Sequence, residues 1–290
     1  NGLNGSLEIG SAIYLHMKRI TFAIISLIAF STISCFAEKI KGNGNIITKE
    51  IQVADYKQIK VGQGIETGGN SFFGKNQSPQ VNYTQKGGKS GLKITIDENL
   101  LSELKFNSNG DVLQIETERG TRINPSKLII ETHSSELNKL GVSGGIDFFL
   151  RSSLSGENLE ISASGASDVY LEKPIRITNL CKINLSGASD LKVSDLICDR
   201  IDTHSSGSSD MNLKGKANDG KYSCSGSSDI KAYDFVIKRL KCSASGSSDI
   251  FTTVTEKLEA NASGSSDIKY KGNPEVKKHS SGSSDIDHIK

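Results

Sequence analysis

The sequence predicts an all-β chain: a single-stranded parallel β-helix, or β-solenoid, with 18–22-residue coils and a less regular N-terminal β part. Three observations predict it. A five-residue phrase recurs at near-constant spacing, apolar and polar residues alternate on both sides of it, and the composition suits thin strands and tight turns. The 290 residues include 29 Gly, only 4 Pro, no Trp and 6% aromatics, where a compact α/β enzyme carries more large side chains.

The phrase is Ser-Gly-(Ala/Ser)-Ser-Asp, and it occurs seven times. Its glycines are Gly165, Gly187, Gly207, Gly226, Gly246, Gly264 and Gly282, and its aspartates are Asp168, Asp190, Asp210, Asp229, Asp249, Asp267 and Asp285. Ser143-Gly144-Gly145-Ile146-Asp147 is a degenerate earlier member. The glycines step by 22, 20, 19, 20, 18 and 18 residues. That period is too short for a pair of helices and fits one coil of a solenoid.

Strand alternation flanks the phrase. Leu159, Ile161 and Ala163 precede one copy, and Leu240, Cys242 and Ala244 precede another; Val169 and Leu171, or Met211 and Leu213, follow. Period two on both sides of a polar corner describes half-buried strands around a bend. Coils stacked in register repeat that bend every ~4.8 Å. A bend with φ > 0 admits Gly without steric cost, whereas a side chain there costs ~1–2 kcal/mol. Ser and Asp can cap the free backbone groups of the bend. The residue before Ser-Gly is small in six of seven copies, Leu185 being the exception, as a tight interior corner requires.

The N-terminal half also reads as strand, forming the opening coils and cap. Leu92–Ile96, Leu113–Glu116 and Leu128–Thr132 carry β-formers, Asn109-Gly110-Asp111 reads as a hairpin turn, and Glu98–Leu104 as a helical turn. Phe72–Ser90 is polar and Gly-rich and reads as containing a loop. The expected domains are 1–16, an upstream extension; 17–37, a signal peptide; 38–140, the N-terminal β region; and 141–290, the repeat β-helix continuous with it. The signal reading rests on Met17-Lys18-Arg19, the 14-residue apolar run Ile20–Ile33, and small residues before a cut after Ala37. The expected location is the periplasm, outer membrane or cell surface, with lipid attachment at Cys35 as an alternative use of the leader. No transmembrane segment is expected once the leader is removed, and a net charge of +2 without a basic block argues against nucleic acid.

Candidate chemistry is sparse. The seven aspartates form an acidic column, expected to be satisfied by corner N–H groups, solvent and Lys192, Lys231 and Lys269, each two residues past its Asp. A row of Ca²⁺ ions is the alternative, although one Asp corner per coil departs from the nonapeptide spacing of calcium β-rolls. His204 and His279 share a column but lie four coils apart, ~19 Å, too far to share a metal. Cys181, Cys198, Cys224 and Cys242 lack CxxC spacing, and the offset between Cys224 and Cys242 exceeds disulfide reach, so buried free thiols are expected. A repeated serine is a poor nucleophile candidate, and no Gly-x-Ser-x-Gly elbow occurs in the corners. No catalytic, metal or cofactor-binding residue is assigned.

The opening Gly42-Asn43-Gly44-Asn45-Ile46-Ile47 through Tyr56–Val61, the stretch Leu137–Val142 running into Ser143-Gly144, and the Ser-Gly-Ser-Ser-Asp corners together resemble the auto-transporter adhesin, head GIN domain family, over roughly Gly42 to Asp285. The resemblance implies a β-helix-like fold and an adhesin-like envelope role, with no catalytic residues to carry over. No set of ~10-residue barrel strands follows the last corner, so export by the chain's own leader is what the residues support. The functional expectation is an exported, non-catalytic scaffold or binding module for a glycan or an envelope protein. The alternatives are a pectinase-like enzyme and a Ca²⁺-stabilised solenoid. Exposed strand edges near Ile286 also suggest homo-oligomers formed through the solenoid ends.

Overall fold

In repeat after repeat, apolar side chains at every second position turn inward and close three sheets around one interior. The computed structural model describes residues 38–66 and 78–290, so the expected leader and upstream extension lie outside the described residues. Residues 39–290 form one unit, a succession of strands built as a β-solenoid. Each coil contributes a strand before the Ser-Gly corner, a second after it, and a third that leads to the next coil. The first face stacks residues 159–163, 181–185, 201–205, 220–226, 240–246, 258–264 and 275–282, all parallel. The second face stacks the strands that begin at Val169, Leu191, Asp210, Asp229, Asp249, Ile268 and Ile286. The third runs from Leu154–Gly156 through residues 175–177 and 196–198 to 235–237.

Register keeps like with like. Ile161 pairs with Ile183, which pairs with Thr203, and all three are buried. Register shifts recur between the second and third faces, at Val193/Leu196, Asn212/Gly215 and Ala232/Val236, and they absorb the variation in coil length from 18 to 22 residues. The interior is narrow, so Cys181, Cys198, Cys224 and Cys242 are buried free thiols that act as small apolar groups. Burial pushes the Cys198 and Cys242 thiols up to about 12, which keeps them protonated and inert.

The N-terminal half joins the same stack, but not in chain order. Gln58–Val61 lies between Val112–Thr117 and Lys139–Val142, parallel to both. Gln80–Gln85 likewise lies between Leu128–Ser134 and Asp147–Leu150. Within the described part of Phe72–Ser90, Gln80–Gln85 is a strand with Val81 and Tyr83 fully buried, and residues 86–90 form the loop that the composition marks. Antiparallel strands then finish this end. Leu104–Asn107 pairs with Val112–Thr117 through the turn at Gly110 (φ 61°), and Ile46–Ile51 and Gly91–Asp97 extend the second face. Asp97, fully buried, ties the opening loop down. It accepts the N–H of Gly44 (2.7 Å), the N–H of Ser126 (2.8 Å) and the Ser126 hydroxyl (2.6 Å). Burial pushes its pKa up, but these donors outweigh it and hold the carboxyl below its ordinary value.

The other end is finished differently. In the last coil, Lys278 and Ser280 occupy the inward positions that Ala260 and Ala262 hold one coil earlier. The Lys278 ammonium reaches across the coil and donates to the Ile286 carbonyl at 2.9 Å. A charge at an inward edge position opposes strand addition, because a second copy would have to bury it. The Lys278 charge therefore weighs against the end-to-end pairing expected near Ile286. Lys278→Leu is expected to produce concentration-dependent association in sedimentation velocity, with the unsubstituted chain monomeric at the same loading. Association of both chains alike would remove the edge-blocking role.

Candidate functional site

The corner glycines form one column between the first and second faces. Gly226, Gly246, Gly264 and Gly282 are direct register partners, and all seven have φ between 79° and 85°. The degenerate Gly144 has φ 89° and belongs to the same column, since a Cβ on Gly165 would stand 2.5 Å from its carbonyl oxygen. A Cβ on any other corner glycine would stand 2.5–2.7 Å from the preceding glycine's carbonyl. Two independent reasons therefore exclude a side chain: the left-handed backbone conformation and the backbone of the preceding coil.

That closeness has a purpose. The N–H that follows each glycine donates to the glycine carbonyl one coil back, at 2.7 Å from Ala166 and Ala188 and 2.8 Å from Ser208, Ser227, Ser247, Ser265 and Ser283. The bend is thus a hydrogen-bonded ladder, and its backbone groups stay paired although the corner is exposed.

The serine before each aspartate turns inward. Ser167, Ser189, Ser209, Ser228, Ser248 and Ser266 are fully buried. Ser248 Oγ donates to the Ser245 carbonyl at 2.8 Å and accepts the Ser245 N–H at 3.2 Å, and Ser266 and Ser284 repeat the pattern. In the earlier coils the hydroxyl reaches between coils, Ser189 Oγ accepting the Ser167 N–H at 3.4 Å. Sequence reasoning did not separate this serine from its exposed neighbour. The signal was present: this position is Ser in all seven copies, whereas the residue before it is Ala or Ser.

The aspartates line the outer edge of the corner. Asp168, Asp190, Asp229, Asp249 and Asp267 each accept, through Oδ1, the N–H of the aspartate one coil on, at 2.9–3.4 Å. Between Asp210 and Asp229 the pattern changes: the Asp229 N–H goes to the Ser209 carbonyl, and Lys231 bridges both carboxylates at 2.7 and 3.4 Å. Lys269 lies 3.5 Å from Asp267. Lys192 does not join them; its ammonium pairs with Glu172 at 2.7 Å, because that carboxylate is also one coil back and within reach. At the head of the column, burial and the neighbouring Asp168 push the Asp147 carboxyl above its ordinary value. His204 and His279 are exposed and share the outer column through Ser223, Ser243 and Asn261. Among the described residues, no three His, Cys, Asp or Glu side chains gather where they could hold a metal ion. No helix among them is long and apolar enough to cross a membrane.

The arrangement defines a class: a repeat β-solenoid whose most regular polar residues are committed to the stacking of its own backbone. The family model described as "putative auto-transporter adhesin, head GIN domain" matches residues 75–274, and the chain belongs to that family. Solved structures share the fold over nearly its whole length. A putative adhesin from Parabacteroides merdae is 27% identical, with 88% of this chain and 100% of that chain covered and a TM-score of 0.78. A putative adhesin from Parabacteroides distasonis is 30% identical over 87% of this chain and 100% of its own, with a TM-score of 0.75. A structure from the same species described as a putative lipid binding protein is 27% identical over 87% and 100%, with a TM-score of 0.76. None of the curated proteins matches the chain.

The corner geometry makes a graded prediction. Gly226→Val is expected to cost at least ~2 kcal/mol, because the φ penalty and the collision with the Gly207 carbonyl both apply. Ser228→Ala, which leaves the corner backbone short of a buried partner, is expected to cost ~1 kcal/mol, and Ser227→Ala less than ~0.5 kcal/mol. Denaturation midpoints rank the three; equal shifts for Gly226→Val and Ser227→Ala would contradict the corner account.

Proposed function

We propose that this chain is an exported, non-catalytic, adhesin-like binding module of the bacterial cell envelope, carried out of the cytoplasm by the leader at residues 17–37. The observation that carries the reading is the commitment of the corner residues. The serine hydroxyls are buried in the turn and the aspartate carboxylates are occupied by the next coil, so the abundant Ser and Asp hold the scaffold together. What remains for function is the outer surface, held on a rigid lattice of parallel strands. Such a surface presents ordered rows of side chains at a fixed ~4.8 Å interval, which suits recognition of an extended partner. Membership of an adhesin-head family and the likeness to two putative adhesins support the same reading.

The rival classes are a polysaccharide-degrading solenoid enzyme and a lipid binder of the kind named for one neighbour. The interior is filled by buried side chains from end to end, so a lipid would have to lie on an outer face. The purified chain is expected to bind immobilised bacterial envelope polysaccharide or envelope protein without releasing soluble sugar. Product release that one acid-to-amide substitution abolishes would overturn the reading in favour of catalysis. Binding confined to phospholipid vesicles would overturn it in favour of a lipid-binding role.

A further inference from the structure

The outer surface of the second face is not uniform. At the N-terminal end, Ile46–Ile51, Gly91–Asp97, Leu128–Ser134, Gln80–Gln85 and Asp147–Leu150 lie side by side in that order. Their twisted sheet holds an open concavity of about 770 Å³ on its outer side. One row of outward positions crosses it: Glu50, Lys93, Glu131 and Asn82, followed by Phe149 and Tyr170 beyond its rim.

Arg151 stands where the polar and aromatic parts of that row meet, and two contacts fix it. Its guanidinium lies over the Phe149 ring, 4.4 Å from the centroid. The Phe149 ring is itself stacked on Tyr170 at 4.9 Å and 11°. The Arg151 Nε–H donates to Asn82 Oδ1 at 2.6 Å. These contacts use one ring face and the Nε donor, and Arg151 is among the residues that line the concavity. Arg151 has no ion-pair partner among the described residues, whereas Lys93 is neutralised by Glu131 at 2.8 Å. A planar cation held in place beforehand loses little freedom on binding and matches a carboxylate with two parallel hydrogen bonds. Around it, Glu50, Glu131 and His133 supply acceptors and donors at short intervals. Gly91 makes room for the His133 imidazole, since a Cβ there would run into the ring. Sugar hydroxyls both donate and accept, so a wall of mixed polarity fits them better than it fits an acyl chain.

We propose that this concavity binds an acidic oligosaccharide, with a uronic-acid carboxylate seated on the Arg151 fork and neighbouring hydroxyls on the Glu131, Asn82 and His133 wall. The proposal rests on the binding-module reading above and names its ligand class and site. Phe149 and Tyr170 occupy outward strand positions in a row that continues through Lys192, Asn212, Lys231, Phe251 and Lys269, and of its aromatic rings Phe149 is the one that an arginine covers.

The test is titration calorimetry of the full chain with oligomers of galacturonic, glucuronic and mannuronic acid, each paired with its methyl-esterified form. Methyl esterification removes the charge and keeps the sugar. At least one acid oligomer is expected to bind, with its ester weaker by about tenfold or more. Arg151→Ala and Arg151→Lys are both expected to lose about tenfold or more, the second because an ammonium cannot form the fork. Arg176→Ala, which removes the same charge on the third face, is expected to bind as the unsubstituted chain does, and unchanged melting temperatures establish that the variants fold. Equal affinity for acid and ester, equal affinity of Arg151→Ala and the unsubstituted chain, or no binding by any acid oligomer would each overturn the proposal. Where envelope polysaccharide is still bound in those cases, the site falls and the binding-module reading stands; loss of all envelope binding removes both.

Discussion

One hydrogen bond, repeated, sets the terms for the rest of the molecule: the N–H after each corner glycine donates to the glycine carbonyl of the coil before it. To make it, the backbone must turn with φ near 80° and approach the neighbouring backbone so closely that no Cβ fits. Glycine is therefore required in every coil, and the serine hydroxyl and aspartate carboxylate beside it complete the pairing of a backbone that would otherwise be open to water. Once the corner is fixed, the strands leaving it are fixed in register. A slip of one residue would turn Leu, Ile and Ala outward and the polar set inward along a whole face.

This constraint divides labour along the chain. Where the corners repeat, Ser and Asp are consumed by stacking, and acidic repulsion is relieved either by the next coil's N–H or by Lys231 and Lys269. Where the repeat gives way, toward the N-terminal end, the second face is extended by antiparallel strands and its outer side becomes concave. Side chains there owe nothing to a column, so each can differ from its neighbours. The same logic explains the two ends: buried Asp97 fastens the opening loop at one, and Lys278 bonds across the last coil to the Ile286 carbonyl at the other.

Much of this was legible in the sequence because solenoid physics is periodic. The spacing of Gly165 to Gly282 gave the coil, alternation through Leu159, Ile161 and Ala163 gave the inward set, and both agree with the observed registers. The strand Gln80–Gln85 was less legible, since only Val81 and Tyr83 mark its buried side and its outward residues are those of a loop. The insertion of Gln58–Val61 between two later strands leaves no local trace, because nothing in a strand's own residues names its neighbours. The partner of Lys192 is illegible for a related reason: spacing within a coil points to Asp190, and only the stack brings Glu172 within reach. The Arg151 cluster combines residues 82, 149, 151 and 170, which no motif joins, so it emerges only from the stacking of three coils.

The most direct test of the corner ladder is residue-resolved hydrogen exchange at the amides of Ser208, Ser227, Ser247 and Ser265. These residues sit on exposed corners, and a loop amide so placed ordinarily exchanges without protection. The account predicts that all four exchange as slowly as the buried strand amides of Ile230 and Ile250. Exchange at the rate of an open loop would contradict it.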